Sequence, residues 1–301
     1  LLAGPILRRV APSRFACWLA TSRAVELRLS IHPPDRPPFD PPLTRDREHI
    51  QLQAAGGLFF HLVETDLPGD LPQGPLIEYE LHLRPQDDRG GEAGWEDLTA
   101  LYPHLLYPGR RRLCFQMPGR VESLLHGSCR KPHHDAPDGL LEADSLLLSL
   151  LEPAAPDAAA RPAWPELLLM SGDQIYADEV TEGHELSRNW PGRVPRDPSR
   201  EDLAGLRAHL RERFLERYQA VCSAPEFAWL AARVPSLMQW DDHDICDGWG
   251  SLRRSSTYSP VGQALFAAAR EAALLFQHGC CDGDLPARFS DPEGTHLGWR
   301  V

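Results

Sequence analysis

The chain has 301 residues, 25% charged and 42% hydrophobic, an ordinary globular composition with room for one large or two medium domains. Asp and Glu number 43 against 31 Lys and Arg, and a formal charge of −12 repels a phosphate backbone, which argues against long nucleic acids as general partners. No apolar run approaches the ~18 residues that span a bilayer, and Lys131, the only lysine, is not part of a Gly-Lys phosphate loop.

Up to about residue 120 the chain shows short runs of β-branched, aromatic and leucine residues broken by Pro and Gly. Strands are predicted over Phe15–Thr21, Val25–Ile31, Leu58–Thr65, Ile77–Leu83 and Arg112–Met117. Glu78, Glu80 and His82 alternate with Ile77, Tyr79, Leu81 and Leu83, a pattern that leaves one face wet. Residues His32–Pro42 carry six prolines and cannot continue a ladder, so they form a loop, as do the charged and Gly-bearing residues Asp87–Gly94. Two antiparallel sheets bury such strands, so residues 1–120 are expected to form an all-β, sandwich-like accessory domain.

Residues 121–301 alternate apolar runs with helical segments, the pattern of an α/β domain. Helices are predicted over Leu140–Leu151, over Ser199–Cys222, and from Ser259-Pro260 through Ala264–Phe276. In the second, Leu203, Leu206, Leu210, Phe214 and Tyr218 recur at helical steps, and Ser199 with Asp202 forms a capping box with a shortened acid. In the third, Ser259 is the N-cap and Pro260 the first helical residue. Pro153–Pro165 is a variable connector. Seven scattered cysteines, an odd number, predict reduced thiols and a cytoplasmic location. The chain opens on Leu1 without Met or a signal-type series and stops at Val301, soon after the turn Asp291-Pro292-Glu293-Gly294, so it is expected to be part of a longer protein.

Three apolar segments of this half end in residues able to bind metal. Ser123–Ser128 leads to Cys129, Leu167–Gly172 to Asp173, and Ser236–Trp240 to Asp241, Asp242 and His243. Singly, Cys129 reads more readily as a buried thiol, Asp173 equally as a turn residue, and Tyr176 more readily as a core or surface aromatic. The run Asp241-Asp242-His243-Asp244, with Asp247 close behind, is harder to dismiss, because its acids repel one another unless a cation sits among them. Carboxyl ends of neighbouring strands share one rim, where these groups would converge.

The blocks His126-Gly127-Ser128-Cys129-Arg130, Ser171-Gly172-Asp173-Gln174-Ile175-Tyr176-Ala177-Asp178 and Trp240-Asp241-Asp242-His243-Asp244-Ile245-Cys246-Asp247, in this order, resemble the PhoD-like (alkaline phosphatase D) metallophosphoesterases. The resemblance implies a four-layer αββα metallophosphatase domain with two internal sheets, incomplete at its C-terminus, and a site for iron and calcium or other divalent ions. It implies that Asp173 bridges two cations, that Cys129 and Tyr176 hold ferric iron, and that Asp242 and Asp247 hold the second ion. His243 would protonate the leaving oxygen or stabilise the phosphoryl charge, and Arg130 is a candidate for a phosphate oxygen, with a surface role as the alternative. The implied reaction is hydrolysis of a small phosphate mono- or diester by a metal-activated water.

The family pattern has Glu and Asn where this chain has Asp244 and Asp247, a change that bears on the second metal. Its last aspartate and histidine motif does not occur before Val301, since His278 and His296 lack that context. Two alternatives remain: a non-catalytic phosphatase-like module for protein association, and a mononuclear hydrolase using Cys129, Asp173 and Tyr176. His133-His134-Asp135 reads as a loop, Cys280-Cys281 as neither disulfide nor zinc site, and Asp178, Glu179 and Glu182 as a solvated face. The oligomeric state is not legible.

Overall fold

A computed structural model describes residues 1–54, 57–86, 94–117, 119–131, 135–152, 162–195 and 197–279. Its strands are β1 (Ala3–Ala11), β2 (Arg14–Thr21), β3 (Val25–His32), β4 (His49–Gln53), β5 (Phe59–Asp66), β6 (Leu76–Pro85), β7 (Glu96–Asp97), β8 (Leu113–Gln116), β9 (Leu124–Gly127), β10 (Leu167–Met170) and β11 (Ser236–Met238). Its helices are α1 (Leu98–Leu101), α2 (Leu140–Leu151), α3 (Arg200–Ser223), α4 (Pro225–Ala231), α5 (Arg254–Thr257) and α6 (Pro260–Ala273), the last continuing as a π turn over Leu274–His278. The chain forms two compact units, one of residues 1–127, 132–169 and 222–237, the other of residues 128–131, 170–221 and 238–301.

The first unit holds two antiparallel sheets, ordered β1-β2-β5-β4 and β3-β6-β7, with β8 also paired to β6. Leu7, Phe15, Cys17, Leu19 and Val63 of one sheet share a core with Leu27, Leu29, Ile77, Tyr79, Leu81 and Phe115 of the other. The alternation along β6 is realised: Ile77, Tyr79, Leu81 and Leu83 are buried, while Glu78, Glu80 and His82 stay partly wet. This compact unit extends beyond the expected β-rich residues 1–120. It also takes in α2 and α4, because Ala228 and Ala232 enter the core and the Tyr79 hydroxyl donates to the Ala232 carbonyl at 2.7 Å.

Strands β11-β10-β9 form a three-stranded sheet. Among the described residues it is the one sheet of the C-terminal half, so the paired internal sheets of a four-layer domain are not seen there. Helix α3 starts as its cap predicts: the Ser199 hydroxyl donates to Asp202 Oδ2 at 2.6 Å and accepts the Asp202 N–H at 3.1 Å. Leu206, Leu210, Phe214 and Tyr218 form its buried stripe, with Leu203 half-buried. Ser259 caps α6 by accepting the Gly262 N–H at 3.0 Å. Among the described residues no helix is long and apolar enough to cross a membrane. Most of the 87–94 loop, residues 153–161 of the connector, His133, His134, Cys280, Cys281, the Asp291–Gly294 turn and His296 lie outside the described residues.

Candidate metal centre

The segments that follow β9, β10 and β11 meet. After β9 the chain reaches Cys129 at φ +55°, whose N–H donates to the Gly172 carbonyl at 3.1 Å. After β10 it turns through Gly172 at φ +146° and Asp173 at φ +50°. A Cβ on Gly172 would stand 2.9 Å from Asp241 Cβ, so both the backbone and the close approach call for glycine. Left-handed backbone at two non-glycine residues is a local cost that folds retain chiefly at functional positions.

Asp244 fastens the post-β10 turn to the post-β11 turn. Its fully buried carboxylate accepts N–H bonds from Asp241 (3.0 Å), Gln174 (3.1 Å) and Ile175 (3.2 Å) and the Tyr218 hydroxyl at 2.9 Å. Burial raises its pKa to about 7 against the pull of those donors. Gln174 adds amide bonds to the Met170 carbonyl at 3.1 Å and the Gln239 carbonyl at 3.0 Å. The departure at Asp244 therefore changes an internal clasp, since this side chain is committed to four donors.

The clasp brings one carboxylate oxygen each of Asp173 and Asp242 and one ring nitrogen of His243 within 4.8 Å of one another. Asp173 is only 4% exposed, and its Oδ1 accepts the His243 N–H at 3.3 Å. Asp242 Oδ2 accepts the Gly248 N–H at 2.6 Å. Both oxygens of Asp178 lie 3.0 Å from His243 Nδ1, and one also takes the Asp247 N–H at 2.6 Å. Burial lowers the His243 pKa, but the hydrogen bond and charge of Asp178, with Asp173 and Asp242 behind it, outweigh this and raise it overall.

Tyr176 lies against His243, ring centroids 4.3 Å apart, and its hydroxyl donates to the Cys129 carbonyl at 3.4 Å. Burial, then the neighbouring Cys129 and Asp173, push its phenol up to about 12. Asp173, Asp242, His243 and Tyr176 thus gather, Cys129 flanks them through its backbone, and Asp247 stands at the exposed edge, its Oδ1 3.8 Å from His243 Nε2. Arg130 is buried and directs its guanidinium to the Val221 carbonyl at 3.4 Å. Asp178, which reads in sequence as one acid of a solvated face, is a hydrogen-bond partner of His243 that motif reasoning misses.

The Asp173 and Asp242 carboxylates are hard donors that suit a metal ion, and the buried Asp173 calls for a counter-charge, so these residues fit such a group, with the His243 imidazole beside them. The class this defines is a protein with a candidate metal centre. Residues 154–276 match the family model of PhoD-like phosphatases, and over this stretch the chain is PhoD-like. No curated protein matches the chain. Among solved structures, one described as the structure of PhoD is 13% identical with a TM-score of 0.43, and the match covers 99% of this chain and 48% of that one. The present chain thus spans about half the length of that structure. The amylomaltase of Corynebacterium glutamicum is 15% identical with a TM-score of 0.20, over 71% of this chain and 30% of its own.

Proposed function

We propose that this protein is a metal-dependent phosphoesterase that hydrolyses phosphate mono- or diesters with a metal-activated water. The observation that carries this reading is the Asp173, Asp242 and His243 group inside a stretch matched by a phosphatase family. Asp173 would be shared between two ions, Cys129 and Tyr176 would serve ferric iron, and Asp242 with Asp247 would serve calcium or another divalent ion. Bound there, the metals would supply charge neutralisation at the phosphoryl oxygens and lower the pKa of the attacking water toward ~7.

The chain's own residues do the rest. Asp178 holds His243 by Nδ1 and leaves Nε2 to donate a proton to the departing oxygen. The Asp244 clasp keeps the two turns in register, and the Tyr176 ring braces the imidazole. We propose a compartment that keeps the five described cysteines in the free form they have here.

The decisive variant is Asp173→Asn, which removes the charge yet tolerates the left-handed backbone of this position better than Ala. Supplied with iron and calcium, the unmodified protein is expected to hydrolyse p-nitrophenyl phosphate or its bis ester, and the variant to lose this activity. Equal turnover by the two proteins refutes the assignment.

A further inference from the structure

Beside Asp242 the second unit carries a cleft of about 500 Å³ whose walls include Trp240, Ile245, Trp249, Ser251 and Phe266. Trp249 and Phe266 stack with centroids 5.7 Å apart and planes 11° apart, and Trp240 tilts against Phe266 at 5.7 Å. All three rings are half-buried, unlike the stacked pair Tyr218 and Phe276 of the same unit, which is closed from water. Aromatic rings that line an open cleft offer flat surface on which a planar group can stack. Asp242 belongs both to the wall of this cleft and to the candidate metal group, so the cleft adjoins that group.

From this juxtaposition we infer that the cleft is a specificity subsite that stacks a planar ring borne by one alcohol of the phosphate ester. The inference rests on the phosphoesterase reading and adds the substrate class to it. Of the three rings the motifs contribute only Trp240; Trp249 follows them and Phe266 comes from α6, so the aromatic wall exists only in the folded chain. Stacking of one ring on an aromatic side chain is worth about a tenfold preference or more in affinity.

The test is calorimetric titration of phenylphosphonate and of methylphosphonate into the metal-supplied protein, its Trp249→Leu variant and its Phe266→Leu variant, with thermal melts to establish that each variant is folded. The expected result is about tenfold tighter binding of the phenyl compound by the unmodified protein, with the ratio falling toward unity in at least one folded variant. Equal affinities in the unmodified protein, binding of neither compound, or a ratio that survives both substitutions overturns the subsite. The two readings fail distinguishably: turnover of esters without a phenyl preference defeats only the subsite, whereas a phenyl preference without turnover defeats the hydrolase and with it the substrate class, leaving an aromatic binding cleft.

Discussion

Asp178 shows at the scale of one residue how a candidate centre is built from more than its metal-type side chains. Its carboxylate orients the His243 ring and takes the Asp247 backbone N–H, so one exposed acid ties two parts of the site together. Removing a carboxylate that orients a site histidine in this way costs on the order of 10- to 100-fold in activity. Asp178→Ala is therefore expected to lower kcat/KM for a p-nitrophenyl ester by about that factor while leaving the melting temperature nearly unchanged, as steady-state kinetics and a thermal melt will read. The acid itself is plain in the sequence. Its partner lies 65 positions away, and no local pattern announces that pairing.

At the scale of elements, β1 and β4 escape sequence reading for different reasons. Pro5, Arg8 and Arg9 interrupt the apolar pattern of β1, yet Arg8 is held near the Trp18 ring at 5.8 Å. In β4 the buried His49 pairs with His61 of β5 at 3.0 Å, and His61 Nε2 lies 2.8 Å from the Thr21 hydroxyl, which itself donates to the Arg23 carbonyl. Thr21 must then accept from His61 Nε2–H, which leaves His61 Nδ1 to accept from His49, an arrangement of neutral rings. Burial brings the pKa of His49 down to about 4 and that of His61 to about 3.

The unfolded chain takes up these protons near pH ~6.5 and the folded one does not. The stabilisation is thus fully present above that pH and is lost as pH falls toward about 4, by about 1.4 kcal/mol per pH unit for each histidine. Urea unfolding across this range is expected to show that slope, and His61→Asn to flatten it.

For the whole molecule, the first unit draws residues 222–237 to the strands of the N-terminal region. Arg233, fully buried, donates to the Trp229 and Leu105 carbonyls, each at 2.7 Å, and lies 3.8 Å over the Tyr107 ring, whose hydroxyl bonds Asp144. Breaking a buried charged network by removing one partner costs about 3–5 kcal/mol. Arg233→Met is expected to lower unfolding free energy by about this amount in denaturant titration, and a loss under 1 kcal/mol would mean that the network contributes no more than a surface pair.

What the sequence determined by itself is local: the strand alternation of β6, the caps of α3 and α6, the break of the ladder after His32 at Pro33-Pro34, and the three blocks that carry metal-type residues, because each depends on neighbours a few positions apart. Tertiary structure alone decided that Asp244 turns inward as a clasp, that Asp178 faces His243, that Arg130 reaches Val221, and that three half-buried rings line a cleft beside Asp242. Those outcomes depend on which distant groups share a shell of water-excluded space, and burial there sets both the hydrogen-bond partners and the charge that a side chain can keep.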